Sequence, residues 1–106
     1  MSFDQYHEPP QELPEETRTF ARLNMSLIEE AEAIGWYEQR LAVEKDDEAR
    51  AVMAHAQKEE FIHFGLDLEF LLRRKPLWRK ALKEVLFTEG PLPELGERAE
   101  EAALDH

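Results

Sequence analysis

The chain has 106 residues, of which 42% are hydrophobic and 35% charged, with a net charge of −11 and no cysteine. A chain of this length forms one small domain at most and buries little apolar surface by itself. Its acidity excludes nucleic acids and anionic membranes as partners, and the lack of cysteine excludes disulfides and thiol catalysis. No apolar run approaches the length of a membrane span.

Residues 1–13 contain Pro9-Pro10 and no hydrophobic periodicity, so we predict an extended N-terminal arm. The arm lacks the apolar region of a signal peptide, which fits a cytoplasmic location. A first helix is predicted from about Pro14, which suits a first turn, to about Val43. Its heptad seam alternates steps of three and four residues and consists of Phe20, Leu23, Leu27, Glu30, Ile34, Tyr37 and Leu41.

Glu30 is the one seam residue unsuited to an apolar core, because burying a carboxylate is unfavourable unless something compensates it. Two interpretations stay open from the seam alone. Glu30 is either a metal ligand or a polar residue that specifies helix register or reaches to the edge of the seam.

A second helix is predicted from about Asp47 to about Arg74, after the short charged break at residues 45–47. A break this short makes an antiparallel helical hairpin. The helix is apolar around a wide arc, which indicates packing against more than its hairpin partner. One of its faces carries Met53, Ala56, Glu60, His63, Asp67 and Phe70.

Glu60 and His63 are three residues apart and therefore share a helix face. A Glu-x-x-His pair on each of two helices, with a lone Glu on each of two others, is the ligand set of ferritin-like di-iron bundles. In a hairpin that turns near residue 45, Glu30 lies at the level of Glu60. The chain therefore supplies half of such a site, and a second copy would supply the other half.

Pro76 opens a third, short helix, and Gly90-Pro91 stops it. Residues 91–106 are predicted to be an acidic tail, either frayed helix or disordered chain. The predicted fold is all-α: a ferritin-like antiparallel two-helix hairpin plus a short third helix over residues 14–90. Dimerisation completes a four-helix bundle.

Several motifs, taken together, resemble the encapsulated ferritins. They occur in order over residues 6–91, and they are His7-Glu8-Pro9, Glu29-Glu30-Ala31-Glu32, Trp36-Tyr37-Glu38-Gln39-Arg40, Ala54-His55, Glu59-Glu60 with His63, and Leu86-Phe87-Thr88-Glu89-Gly90-Pro91. The resemblance implies two chains that meet around a di-iron ferroxidase centre, and five such dimers in a decameric ring. It further implies oxidation of ferrous iron inside an encapsulin nanocompartment, where the mineral is stored.

Residue roles follow from the same resemblance. Glu30, Glu60 and His63 match the iron ligands, so that a dimer binds two iron ions, although other divalent cations suit these ligands too. Tyr37 matches a tyrosine beside the centre, and Trp36 a neighbouring tryptophan. Two further carboxylates match a secondary metal site on the ring, through which iron enters: Glu29 and Glu32.

The chain departs from the family pattern at a few positions. Gly35 stands where the family usually has an acidic residue, and a local packing reason or a kink would explain it. Phe61 and Ile62 replace charged residues between the Glu and the His. The family's short apolar and basic targeting sequence is not evident in residues 92–106.

Two other readings of the whole chain stay open. One is a metal-free helical oligomerisation or interaction module, in which Glu30 and His63 form a buried polar pair. The other is a di-metal oxidase or peroxidase without a storage role. Asp67 lies one turn beyond His63 and either hydrogen-bonds its free ring nitrogen or faces solvent. His55 is interpreted as structural or exposed, because no carboxylate stands at ligand spacing from it, and His7 likewise.

Overall fold

The computed structural model describes residues 5–104, and every regular element in this range is a helix. Within the same range, no helix combines the length and the apolarity that crossing a bilayer requires. The all-α prediction is confirmed, and the observed limits of the first two helices lie within a residue of the predicted ones. The elements are a 3₁₀ turn at Pro10–Glu12, then α1 (Glu15–Val43), α2 (Asp47–Arg74), α3 (Pro76–Lys83) and α4 (Leu92–Leu104).

The turn between α1 and α2 is closed by polar contacts of its own residues. The Oδ1 atom of Asp46 accepts a hydrogen bond from the Ala49 amide at 2.9 Å, which caps the first turn of α2. The Arg50 guanidinium donates to the carbonyl of Leu41 and, at 3.2 Å, to that of Glu44. These carbonyls belong to the last turn of α1 and to its C-terminal capping residue, where acceptors have no partner within the helix. The three residues 44–46 therefore suffice to reverse the chain.

Gln57 is a buried polar residue that joins α2 to α1. Its side chain is only 8% exposed, and its Nε2 atom donates to the Ile34 carbonyl at 3.2 Å and to Glu38 Oε1 at 3.0 Å. A shift of the hairpin by one residue would leave this buried amide without acceptors, which is unfavourable. Gln57 thus holds the register of the hairpin, a role that the sequence pattern did not reveal.

Gln57→Leu is expected to lower the free energy of unfolding by about 1–2 kcal/mol, because it removes two hydrogen bonds and leaves the Glu38 carboxylate without this donor. Chemical denaturation at one fixed protein concentration measures the change. Gln39→Leu on the exposed surface of α1 is the matched control and should leave the free energy of unfolding almost unchanged. An equal decrease in the free energy of unfolding in Gln57→Leu and Gln39→Leu would contradict the role of Gln57.

The chain divides into two compact units, with the boundary between Leu71 and Leu72 inside α2. In the first unit, Leu71 is fully buried, but α1 buries none of its residues. Much of the apolar arc of α1 and α2 therefore stays accessible, and an isolated hairpin has no means to cover it. The large apolar side chains left exposed in this unit are Trp36, Val43, Val52, Phe61, Ile62 and Leu66.

The second unit contains α3 packed against α4. Within the predicted tail, Leu92–Leu104 forms a helix, which buries Leu95, Ala99 and Ala103 at a spacing of four residues. Alanine favours the helix and lets the two backbones approach closely. Before it, Gly90 has a φ of 110°, a conformation that side chains disfavour, so glycine is needed there.

Candidate metal centre

Glu30 on α1 and Glu60 with His63 on α2 come together in the first unit. One donor atom from each of the three side chains can be chosen so that all three lie within 4.8 Å of one another. Each glutamate stands about fifteen residues from the middle of the turn, so both lie at the same height in the hairpin. The register expected from the sequence therefore matches the observed arrangement. That these three residues bind metal remains a prediction.

The three donors line an open depression of about 340 Å³. Glu30 and Glu60 are half-buried, whereas His63 is exposed at the rim. Two small residues, Ser26 and Ala33, form part of the wall. A cation held here would have protein ligands on one side only, so the remaining positions face outward.

The electrostatics of the depression favour a cation. The pKa of Glu30 is raised from its ordinary 4.5 to about 7, first by burial and next by a hydrogen bond with Asp67. The negative charges of Asp67, Glu60 and Glu29 raise the pKa further. Every one of these neighbours is an acid, so ionised Glu30 gains from a positive ion that enters the depression.

This raised pKa predicts a pH dependence for the metal-free protein. The folded chain keeps a proton on Glu30 up to about pH 7, whereas the unfolded chain releases it near 4.5. The contribution of Glu30 to stability is therefore complete below pH 4.5 and is lost as the pH rises to about 7. Glu30→Gln removes the titrating group, so the variant should gain stability relative to wild type as the pH rises through this window.

Denaturation in the presence of a chelator, at a series of pH values from about 4.5 to about 8, checks this expectation. The matched control is Glu32→Gln, which changes an exposed carboxylate of the same helix. A stability difference between Glu30→Gln and wild type that does not vary with pH would contradict the prediction.

Tyr37 and Trp36 do not line the depression within the described part of the chain. The Tyr37 ring stacks with the Arg40 guanidinium, whose central carbon lies 5.3 Å from the ring centroid. Seven residues separate Tyr37 from Glu30, which corresponds to roughly 10 Å along the helix axis. Trp36 is 50% exposed on the surface of α1. Their predicted roles beside the centre stay predictions.

Glu29 and Glu32 are placed differently from each other. Glu29 is exposed but forms part of the wall of the depression, next to Glu30. Glu32 is exposed and lies outside that wall. At Gly35, an added Cβ would meet no atom within 4 Å, so no contact among the described residues requires glycine there. The packing reason considered for Gly35 therefore finds no support in this chain.

The interpretation of His55 as lacking a carboxylate partner is wrong. Its Nε2 atom lies 2.7 Å from Glu59 Oε1, because residues four apart on a helix are neighbours. Both side chains are largely exposed, so the pair is accessible to solvent. Asp67 raises the pKa of Glu30, while its own Oδ2 atom is buried without a hydrogen-bond partner.

The donor set determines which cations fit the depression. Two carboxylates and one imidazole suit Fe²⁺, Mn²⁺ and Zn²⁺. The Oε2 atom of Glu30 is buried and has no hydrogen-bond partner, and a buried carboxylate oxygen is normally paired or coordinated. The residues present therefore fit a divalent metal, and the outward positions leave room for a second set of ligands.

Comparisons with known proteins agree on one group. A family model described as EncFtn-like matches residues 5–89. A "Ferritin-like protein" from Thermotoga maritima is 45% identical over 94 residues, which are 89% of this chain and 82% of that protein. An "Encapsulated ferritin-like protein" from Rhodospirillum rubrum is 41% identical over 92 residues, 87% of this chain and 66% of that protein. The crystal structure of a Nitrosomonas europaea protein superimposes with a TM-score of 0.80 at 45% identity, covering 84% of this chain and 99% of that one.

Proposed function

The chain belongs to the EncFtn-like family of encapsulated ferritins, and from this premise we propose that it is a ferroxidase, which oxidises Fe²⁺ to Fe³⁺ for iron storage and detoxification. Membership of the family supports an iron-related, ferritin-like function. The observation that carries the oxidation step is the convergence of donor atoms from Glu30, Glu60 and His63 on one open depression.

The reactive centre of the proposal lies between two copies of the chain. One copy offers two carboxylates and one imidazole, and two copies together offer the four carboxylates and two imidazoles of a ferritin-like di-iron bundle. Each Fe²⁺ would be bound by Glu30, Glu60 and His63, with at least one of the carboxylates shared between the two ions. The depression opens outward, which is the geometry such a shared site requires.

Iron is the substrate, and the electrons balance with dioxygen as the acceptor. Each of two Fe²⁺ ions loses one electron, and dioxygen takes up both electrons with two protons and leaves as hydrogen peroxide. With peroxide as the acceptor, the same two electrons and two protons give two water molecules. The surrounding carboxylates Glu29, Glu60 and Asp67 contribute negative charge, which favours the more highly charged Fe³⁺ product.

The proposal extends to the assembly. Dimers would join into a decameric ring, with Glu29 and Glu32 on the route by which iron enters, and an encapsulin shell in the cytoplasm would enclose the ring. The support for the shell is the printed name of the Rhodospirillum rubrum relative, together with the motifs shared with encapsulated ferritins.

Aerobic oxidation of Fe²⁺ by the full chain, followed by the absorbance of Fe³⁺, tests the activity. The protein should oxidise Fe²⁺ faster than buffer alone, and metal analysis after growth in iron-rich medium should find iron. A rate equal to that of buffer, with no metal bound, would overturn the proposal and favour a metal-free helical module.

A further inference from the structure

An apolar patch lies exposed on α2, on a side of the helix that points toward neither α1 nor the metal centre. We call it the outer patch, and it consists of Phe61 (51% exposed), Ile62 (63%) and Leu66 (65%), with exposed Gly65 between them. At about 100° per residue, its centre lies roughly 160° around the helix from the two candidate ligands of α2. It lies roughly 110° from Gln57, which bonds to α1. A second chain bound at the metal centre would therefore approach α2 from another side.

Gly65 is the feature of the outer patch that the chain itself does not explain. Glycine in the interior of a helix is less stable than alanine. An added Cβ at this position would meet no atom within 4 Å among the described residues, so no contact within the chain requires glycine. A position without a side chain does let another backbone approach closely. Gly65 is accounted for if a second helix packs against the outer patch.

The order of residues along the outer patch is complementary to itself. In an antiparallel pair of α2 helices related by a two-fold axis through the middle of the patch, residues at equal distances from the axis lie opposite each other. Phe61 then meets Leu66 of the partner subunit. Ile62 meets Gly65 of the partner subunit, where the missing side chain leaves room for it. Each large apolar side chain thus has either an apolar neighbour or a space to fill.

Charged residues beyond the two ends of the outer patch follow the same symmetry. Lys58 and Glu69 lie on this side of α2, and the two-fold axis sets Lys58 against Glu69 of the partner subunit. Glu69 also has an interaction within its own chain, and its two carboxylate oxygens accept more than one hydrogen bond. A parallel pair would instead set like charges against each other. The charges therefore favour the antiparallel arrangement that the apolar residues indicate.

We propose that the outer patch is an interface between two copies of the chain, in which the two α2 helices pack antiparallel and approach most closely at Gly65. The contact needs no metal, so the inference goes beyond the proposed ferroxidase. The three large side chains expose on the order of 300 Å² in each copy, which is the size of an apolar patch that marks an interaction site. Two copies would bury on the order of 600 Å² of it, at the small end of specific interfaces. The association is therefore expected to be weak and reversible.

Disulfide cross-linking tests which residues meet, because the chain has no cysteine of its own. Phe61→Cys and Leu66→Cys chains are mixed with a chelator present and treated with oxidised glutathione, and mass spectrometry identifies the linked pairs. The disulfide between positions 61 and 66 should form readily, since bridged Cα atoms lie roughly 4–7 Å apart. Val52→Cys is the matched control, because Val52 is 65% exposed on the same helix. In the proposed pair, position 52 lies roughly 14 Å along the helix from the partner's position 66, so this link should be about 10-fold rarer or less abundant still.

Three further variants of the full chain separate specific packing from general apolar contact. Sedimentation in chelator, at a series of protein concentrations, measures the association. Leu66→Glu should weaken it about 10-fold or more, whereas Val52→Glu, at an equally exposed position, should leave it unchanged. Gly65→Leu adds apolar surface but fills the space at the closest approach, so it should also weaken the association. Circular dichroism checks that the variants are folded.

Several outcomes would overturn the proposed interface. They are a wild type that stays monomeric in chelator at every concentration, a 52–66 link as abundant as the 61–66 link, and a Gly65→Leu variant that associates as strongly as wild type or more strongly. Fe²⁺ oxidation by wild type is a separate measurement. A chain that forms the 61–66 link but does not oxidise Fe²⁺ would support the interface and overturn the ferroxidase, and the opposite pair of results would do the reverse.

Discussion

Alanine in place of Glu30 or His63 is expected to lower the rate of Fe²⁺ oxidation by about 100-fold or more, down to the rate of iron in buffer. Changing groups that merely orient metal ligands costs 10–100-fold in affinity or activity, so removal of a ligand should cost at least as much. If the centre forms between two copies, one substitution removes two ligands from each centre, because both chains carry it. Absorbance of Fe³⁺ under aerobic conditions measures the rate.

The chain offers matched controls for both residue types on the same helix. His55→Ala and Glu59→Ala remove an exposed imidazole and an exposed carboxylate that contact each other at 2.7 Å, away from the depression. Both variants should oxidise Fe²⁺ at the rate of wild type. The assigned ligands would be ruled out if Glu30→Ala and His63→Ala oxidised Fe²⁺ at the rate of wild type. They would also be ruled out if the two controls lost as much of the oxidation rate as the ligand variants.

The second large effect is that of Fe²⁺ on the association of copies of the chain. Fe²⁺, added without oxygen, should shift the chain from smaller to larger species, because a centre shared by two copies binds metal only when they meet. At about 100 times its dissociation constant, a ligand stabilises the form that binds it by about 2.7 kcal/mol, which is on the order of 100-fold in the association constant. Light scattering coupled to size exclusion, at a series of low protein concentrations, measures the mass with Fe²⁺ and with chelator.

Two variants distinguish metal-driven association from apolar contact. His63→Ala should keep the mass seen in chelator and lose the shift caused by Fe²⁺, whereas Glu59→Ala should keep the shift. The apolar contribution is separate, since Ile62 is 63% exposed and Leu66 65% exposed on the same hairpin. Burial of such side chains contributes roughly 1.5–3 kcal/mol each. Identical masses with Fe²⁺ and with chelator at every concentration would contradict a shared centre.

The sequence predicted the hairpin closely because its signals are local. Pro14 marks the start of α1, Asp46 caps α2, and the interval between the two helices has the length typical of an antiparallel helical hairpin. Once the turn is known, the level of Glu30 against Glu60 follows from helix rise alone. The heptad seam, which supplied Glu30, and the Glu-x-x-His spacing, which supplied Glu60 and His63, therefore led to the three donors that lie together in the structure.

The tail was harder to predict because a sequence rich in alanine and glutamate fits both a helix and a solvated chain. What decides is tertiary contact: α4 packs on α3 and buries Leu95, Ala99 and Ala103. A helix of this length is marginal in isolation and gains most of its stability from the face that it buries. No pattern within the tail reveals that the partner face exists.

For this protein, the sequence alone determined the helical class, the register of the hairpin and the identity of three candidate ligands, because each depends on spacing along the chain. Only the tertiary structure revealed that Gln57 holds α2 to α1 and that Asp67 lies near enough to Glu30 to raise its pKa. The physical reason is that these contacts depend on how each helix is rotated about its own axis relative to the other, which spacing along the chain does not fix. Residues 30 and 67 meet from different helices, and packing decides which side chain of a shared face reaches across.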